Sequence, residues 1–297
     1  MLKKLVSLLI CIQMLACCFT TAFAEHGEDS ADITPATITN QMITLTALGV
    51  YTENDCNNSG NMLKRGDFAR MIYNFAIYSA CDDEVRYNDI DEKEAAYVNY
   101  AVERGYLEGY SDGSFKPEQT ATVFQIIKAI IIELGYEELA KYYNGYINAA
   151  MKINLVSSVA DNSAEISYND AAELFYKALL TGKGEYALSG DAKFEVSEKR
   201  YIQERFDADI LRGIVQGTQI TAFGKAGGCG TDTVVISGQS YKCNIDLDNY
   251  LGCRVDYVVK ETDGEETVIA IFGEDKHNSV INISAENIIS FEDNVYK

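Results

Sequence analysis

The chain has 297 residues, with 45 acidic against 25 basic side chains and a net charge of −20, a surplus that argues against binding nucleic acid or anionic membranes through bulk charge. Hydrophobic residues at 47% and aromatic residues at 11% exclude wholesale disorder and, at this length, predict two domains. Two histidines and no tryptophan leave little material for an imidazole metal site or an indole-floored sugar groove, so neither catalysis nor a cofactor is expected.

Lys3 and Lys4 precede an apolar run over 5–19, and Ala22-Phe23-Ala24 supplies the small residues that a signal peptidase reads. A signal peptide over 1–24 is therefore predicted, with export of the mature chain. The competing reading is a lipoprotein anchor, because Leu15-Ala16-Cys17-Cys18 resembles a lipoprotein box in which Cys17 or Cys18 would be acylated. No later stretch approaches eighteen apolar residues, so no transmembrane segment is expected in the mature chain. Residues 1–24 carry two lysines and no acid, and their removal takes the net charge from −20 to −22. The cysteines beyond them, Cys56, Cys81, Cys229, Cys243 and Cys253, lack zinc-site spacing. They read as small buried hydrophobes, with one Cys243–Cys253 bridge across a hairpin as the alternative.

Residues 25–40 form a polar, flexible lead-in. From 41 to 185 one plan recurs over about 41–80, 87–136 and 137–180: an amphipathic helix, a glycine turn, a polar loop and a more apolar second helix. The middle copy is the clearest. Ala95, Val98, Ala101 and Val102 share one face of a helix over 94–104, Gly105 stops it, and 109–117 forms the loop. The isoleucine-rich second helix, 124–134, must be nearly surrounded by protein, so one copy is not a stable unit alone.

The run Tyr87-Asn88-Asp89-Ile90, followed by Ala101-Val102-Glu103-Arg104-Gly105-Tyr106-Leu107-Glu108-Gly109-Tyr110-Ser111-Asp112-Gly113-Ser114-Phe115-Lys116-Pro117, resembles a surface-layer homology (S-layer homology, SLH) repeat. The resemblance implies three repeats in a pseudo-three-fold helical bundle that binds a secondary polymer of the Gram-positive cell wall. In that family the second helix opens with Thr-Arg-Ala-Glu: the threonine and glutamate form a capping box, and the arginine reaches toward the polymer's acidic groups. Thr122 and Gln125 keep the box positions in the second copy, and Ser167 and Asp170 in the third, whereas the arginine positions hold Val123 and Tyr168. The first copy keeps Arg65 and Asp67 but has Lys64 in place of the capping hydroxyl. By this resemblance the polymer-binding candidates are Arg65 and Lys64 with Lys116, Asp112 and Tyr110 from the glycine loop. The helix-capping set is Asp67, Thr122, Gln125, Ser167 and Asp170. Arg65 also reads as a solvated helix-start residue, Asp112-Gly113 as an ordinary turn, and Tyr97, Tyr100 and Tyr106 as core.

The segment 186–297 replaces helical periodicity with short β-branched runs at 210–215, 219–223, 233–237, 240–242, 254–260, 267–272, 280–284 and 287–291, preceded by a short linking helix within 195–206. Gly238-Gln239 and Thr262-Asp263-Gly264 are hairpin signals. The overall expectation is a segregated α+β chain: an all-α repeat bundle followed by a small antiparallel β barrel or sandwich. Gly227-Gly228-Cys229-Gly230 lacks the lysine and hydroxyl of a phosphate loop, His277 sits in a solvated turn, and Asp89-Ile90-Asp91-Glu92 lacks the spacing of a calcium hand. The function expected is non-enzymatic attachment to the wall polymer with display of the β module. The alternative is a structural scaffold whose β module contacts another surface protein; a wall-associated enzyme is the third reading, disfavoured because no catalytic constellation stands out. No nucleic-acid partner and no metal are expected.

Overall fold

The computed structural model describes residues 38–76, 82–158, 161, 163–187, 193–223 and 228–273, with three two-residue strands beyond. The predicted signal peptide, the lipoprotein alternative, nearly all of the lead-in, Cys81 and His277 lie outside the described residues. Helices precede a β region, an α+β arrangement in which one compact unit is Pro35–Ala208 and the other holds Asp209–Lys297.

The helical unit contains α1 (Asn40–Ala47), α2 (Glu53–Asn57), α3 (Arg65–Phe75), α4 (Glu92–Glu103), α5 (Val123–Glu133), α6 (Glu137–Tyr142), α7 (Tyr146–Lys152) and α8 (Tyr168–Leu179). A hairpin of β1 (Gly182–Ala187) and β2 (Lys193–Arg200) and the short α9 (Tyr201–Phe206) complete it. The expected domain boundary near 185 thus falls inside this unit. Only the linking helix was predicted there; the hairpin is polar and carries no β-branched run. It is held by tertiary contacts, with the Gly184 amide donating to the Leu134 carbonyl and the Tyr136 hydroxyl to the Gly182 carbonyl.

Helices α1, α4 and α7 stop in the same way. Gly49 (φ 77°), Gly105 (φ 73°) and Asn154 (φ 59°) adopt the left-handed conformation. The next residue's amide then reaches back over the last turn: Val50 to Leu45, Tyr106 to Ala101 and Leu155 to Ala150. Helices α3, α5 and α8 begin at a common ring of backbone hydrogen bonds. The Leu63 amide donates to Ile166, Ile166 to Ala121, and Ala121 back to Leu63, at 2.8, 3.2 and 2.7 Å. One residue into each helix, Arg65, Val123 and Tyr168 donate to the carbonyls of Gln119, Ala164 and Asn61. The first amides of a helix have no intrahelical acceptor; here each helix start uses a loop from elsewhere in the unit. Leu63, Ala121 and Ile166 are buried at the centre.

The capping expectations divide. Thr122 and Gln125 form the reciprocal box, and Ser167 accepts from the Asp170 amide. Asp67 does not cap: Lys64 is the N-cap of α3 and makes no side-chain cap bond, and the Asp67 carboxylate instead accepts from the Tyr168 hydroxyl at 2.5 Å. The lysine has no acceptor to offer an amide, so the acid is recruited by a partner 101 residues away.

In the second unit β3 (Ala208–Gly217), β4 (Thr233–Ile236), β5 (Gln239–Cys243), β6 (Arg254–Thr262) and β7 (Glu265–Gly273) form a five-stranded barrel in the order β3-β4-β5-β7-β6. The two predicted hairpins are present, with positive φ at Ser237 and Gly238 and at Asp263 and Gly264, the geometry that matches strand twist. The predicted strand at 219–223 is absent. The antiparallel expectation is corrected at one place: β5 and β7 are parallel, because residues 244–253 carry the chain past the position that β7 then fills. The core is Val215, Val234, Ile236, Tyr241, Cys243, Leu247, Val255, Tyr257, Val259 and Val268. Cys56, Cys229, Cys243 and Cys253 are free, which removes the Cys243–Cys253 bridge; burial pushes the Cys243 thiol up to about 11.

Candidate functional site

The glycine loop of the middle repeat folds onto the start of α3. Asp89 sets its shape: the carboxylate accepts from the Phe115 and Lys116 amides at 2.7 and 2.8 Å. Asp112 closes the tip, its carboxylate accepting from the Ser114 amide and hydroxyl, and these bonds hold its pKa below the usual carboxylate value. Gly109 is required because a Cβ there would lie 2.3 Å from the Tyr87 ring. The loop then meets α3 backbone to backbone, with the Gly66 amide donating to the Pro117 carbonyl at 2.9 Å, and a Cβ on Gly66 would sit 3.0 Å from that proline.

Arg65 lies beneath this loop, 2% exposed. Its guanidinium donates from Nη2 to the Glu108 carbonyl (2.8 Å) and from Nε and Nη2 to the Phe115 carbonyl (3.3 and 3.1 Å). It also stacks within 4.9 Å of the Phe115 ring centre and 5.4 Å of Tyr110. Burial lowers its pKa from the ordinary arginine value, while Tyr110, Asp89 and Glu108 pull the other way. The solvated helix-start reading of Arg65 is therefore replaced by a buried cation that binds the two ends of the loop together. Nothing in the local sequence signals this, because the carbonyls it grips lie 43 and 50 residues further on.

The remaining candidates surround it on the outside. Lys116, at φ 57°, places its ammonium 3.8 Å from the Tyr110 ring centre, and the Tyr110 hydroxyl donates to Gln119. Lys64 pairs with Glu118 at 2.6 Å, both exposed. Lys64, Tyr110, Asp112 and Lys116 therefore sit on one loop and helix-start assembly, whereas Thr122, Gln125, Ser167 and Asp170 serve their own helix starts. Asp89 and the carbonyls of Glu108 and Phe115 were missed as site-building groups. An acid three residues upstream of α4, in the same repeat as a glycine loop, was the available signal for Asp89.

Chemically the assembly can offer two ammonium groups, a phenol face and a carboxylate to a polar, acid-bearing ligand. Among the described residues no group of three histidine, cysteine or carboxylate side chains is placed to hold a metal, and no helix is long and apolar enough to cross a membrane.

The family model described as S-layer homology domain matches residues 86–122, the stretch that contains α4 and this loop. The Middle cell wall protein of Brevibacillus brevis (strain 47 / JCM 6285 / NBRC 100599) is 26% identical over 118 residues, which cover 38% of this chain. The matched region is 11% of that protein's length. Residues 86–122 of the chain thus carry an S-layer homology domain.

Proposed function

We propose that the helical unit consists of three S-layer homology repeats arranged with pseudo-three-fold symmetry, and that it attaches the protein noncovalently to a secondary polymer of a Gram-positive wall while displaying the β unit. The role is adhesive and non-enzymatic. The observation that carries this reading is the loop of residues 108–119 in the matched domain, which gathers Tyr110, Asp112 and Lys116 beside Lys64 over the buried Arg65. The cyclic hydrogen bonds at Leu63, Ala121 and Ile166 and the matching ends of α1, α4 and α7 support three copies of one plan. The similarity to a cell wall protein of Brevibacillus supports the wall as the location.

In this reading Arg65 acts through the loop it holds, and Lys64 and Lys116 supply the charges that meet the polymer. A net charge of −20 does not oppose this locally, since fields are screened over about 8 Å at physiological salt. Cosedimentation of the protein lacking residues 1–24 with purified Gram-positive sacculi tests it. Pelleting is expected with intact sacculi and not with sacculi stripped of their secondary polymer. The double variant Lys64→Ala/Lys116→Ala should release the protein at a salt concentration that the wild type tolerates. Absence of pelleting at both low and physiological salt removes the anchoring claim.

A second reading, a scaffold without polymer binding whose β unit contacts another protein, draws on the buried Arg65 and on the exposed apolar side chains of Ile214, Ile220 and Phe223. It predicts that Ile220→Asp and Phe223→Asp abolish partner capture while sacculus binding is absent throughout.

A further inference from the structure

The C-terminal end of α5, about 16 Å along that helix from the hydrogen-bonded ring, carries a second concavity that none of the adhesion residues lines. It is an open cleft of about 440 Å³ between the α6–α7 connection and β2. Tyr136, 1% exposed, forms its floor with the Phe194 ring 5.3 Å away, centre to centre, and Tyr143, Ile153 and Val196 form its sides.

Lys152 lines the same cleft, with its ammonium 5.2 Å from the centre of the Tyr143 ring. Among the described residues no carboxylate lies within ion-pair distance of it, in a chain whose acids outnumber its bases by 45 to 25. Lys93, Lys116 and Lys260 share this among the described residues, whereas Lys64, Lys128, Lys141, Lys177 and Lys242 have acidic partners; Lys152 is set apart by lining the cleft.

The polar inventory of the cleft decides the kind of ligand. The Tyr136 hydroxyl is spent on the Gly182 carbonyl at 2.7 Å and the Thr181 hydroxyl on the Lys177 carbonyl at 2.9 Å. What remains is the Lys152 ammonium and the Tyr143 hydroxyl. A sugar needs several hydrogen-bond partners to replace its water, so these walls favour an apolar body instead. Tyr143 is fixed from behind, since the Asn148 side-chain amide donates to its carbonyl and the following turn uses φ values of 58° at Asn144 and 139° at Gly145. The second of those conformations is open essentially to glycine alone.

We infer that this cleft binds a small amphipathic monoanion, an aromatic or branched apolar body bearing one carboxylate, with the body on Tyr136, Tyr143, Phe194 and Val196 and the carboxylate on Lys152. The charge complementarity rests on Lys152, and the site is independent of the polymer-binding surface.

The probe is 3-phenylpropionate, titrated into the full chain lacking residues 1–24 and followed by amide chemical shifts and calorimetry, with 3-phenylpropanamide and glucuronate as comparisons. The expected result is saturable 1:1 binding that shifts the amides of Ile153 and Val196. Affinity should be at least roughly tenfold weaker for the neutral amide, for glucuronate and for Lys152→Met. Val196→Asp, which alters an exposed side chain and adds a repelling charge, should weaken binding similarly, and Lys116→Met should leave it unchanged. Melting temperatures equal to wild type establish that the variants fold. Failure of 3-phenylpropionate to saturate at millimolar concentration, equal affinity for its amide, or wild-type affinity in the folded Lys152→Met protein overturns the site. Tighter binding of glucuronate overturns the ligand class.

Discussion

The helical unit carries ionic and phenolic groups into its interior, whereas the buried cluster of the β unit is aliphatic and aromatic. In the first, the fully buried Asp55 carboxylate joins Arg70 at 2.8 Å to the Thr52 amide at 2.6 Å. The buried Glu133 accepts from the hydroxyls of Tyr106 and Tyr201 at 2.5 and 2.8 Å, and Tyr201 stacks on Phe75 with ring centres 4.7 Å apart. In the second, ten buried side chains make up the cluster, and among the described residues their polar contacts are one between the Tyr241 and Tyr257 hydroxyls at 3.2 Å and one from the Cys243 thiol to the Ile245 carbonyl at 3.6 Å. Short helices cannot bury enough area to hold one another, and their junctions expose helix ends that need partners. A barrel satisfies its backbone through the strand ladder and can leave its core to volume alone. One unit should therefore be sensitive to the loss of single polar atoms and the other to the loss of methylenes.

The largest effect is expected at Asp55. Asp55→Ala leaves Arg70 only its longer contact with Asp67 at 3.4 Å and opens the start of α2, and should cost about 3 kcal/mol, read as the urea midpoint of the helical unit. If the cost stays below about 1 kcal/mol, the ion pair is not what holds α2 to α3. In the barrel, Val268→Ala should cost about 1–3 kcal/mol by lost burial and the cavity left. Tyr201→Phe removes the hydroxyl from both Glu133 and the Phe75 carbonyl while keeping the stacked ring, at about 1–3 kcal/mol. Protection of α3 and α5 amides from hydrogen exchange should fall together.

Alkali should separate the units. Burial, followed by the charge of Glu133, raises the pKa values of Tyr106 and Tyr201, and burial followed by Asp55 raises that of Tyr51. Unfolded tyrosine ionises near about pH 10, so the native state retains protons that the unfolded state loses. This stabilisation is complete below that pH and is lost as pH rises above it. The β unit has Tyr257 as its comparable group. Absorbance at 295 nm should rise in a steep step that coincides with loss of helical circular dichroism; gradual ionisation with the helices intact would contradict the assignment.

The smallest effects distinguish a fold contact from a surface one. Thr122→Ala should cost about 1 kcal/mol by unmaking the capping box. Arg212→Ala breaks a mostly exposed pair with Asp256 and should change stability by at most about 1 kcal/mol.

Much of this organisation is written locally. The apolar face of Ala95, Val98 and Ala101, the stop at Gly105, the box of Thr122 and Gln125 and the Asp263-Gly264 turn each depend on residues within one or two turns of chain. Sequence periodicity therefore separated a helical half from a β half, and the quoted loop motif identified the S-layer homology domain. The contacts that define the site have no such local signature. Tertiary structure decided that Arg65 is buried beneath its own candidate binding loop, that Asp67 serves Tyr168 rather than a helix end, and that β1, β2 and α9 complete the helical unit. It also decided which lysine meets an acid and which lines a cleft. The physical reason is range: capping and periodicity are satisfied within a few residues, while the burial and pairing of a charge depend on elements tens of residues away.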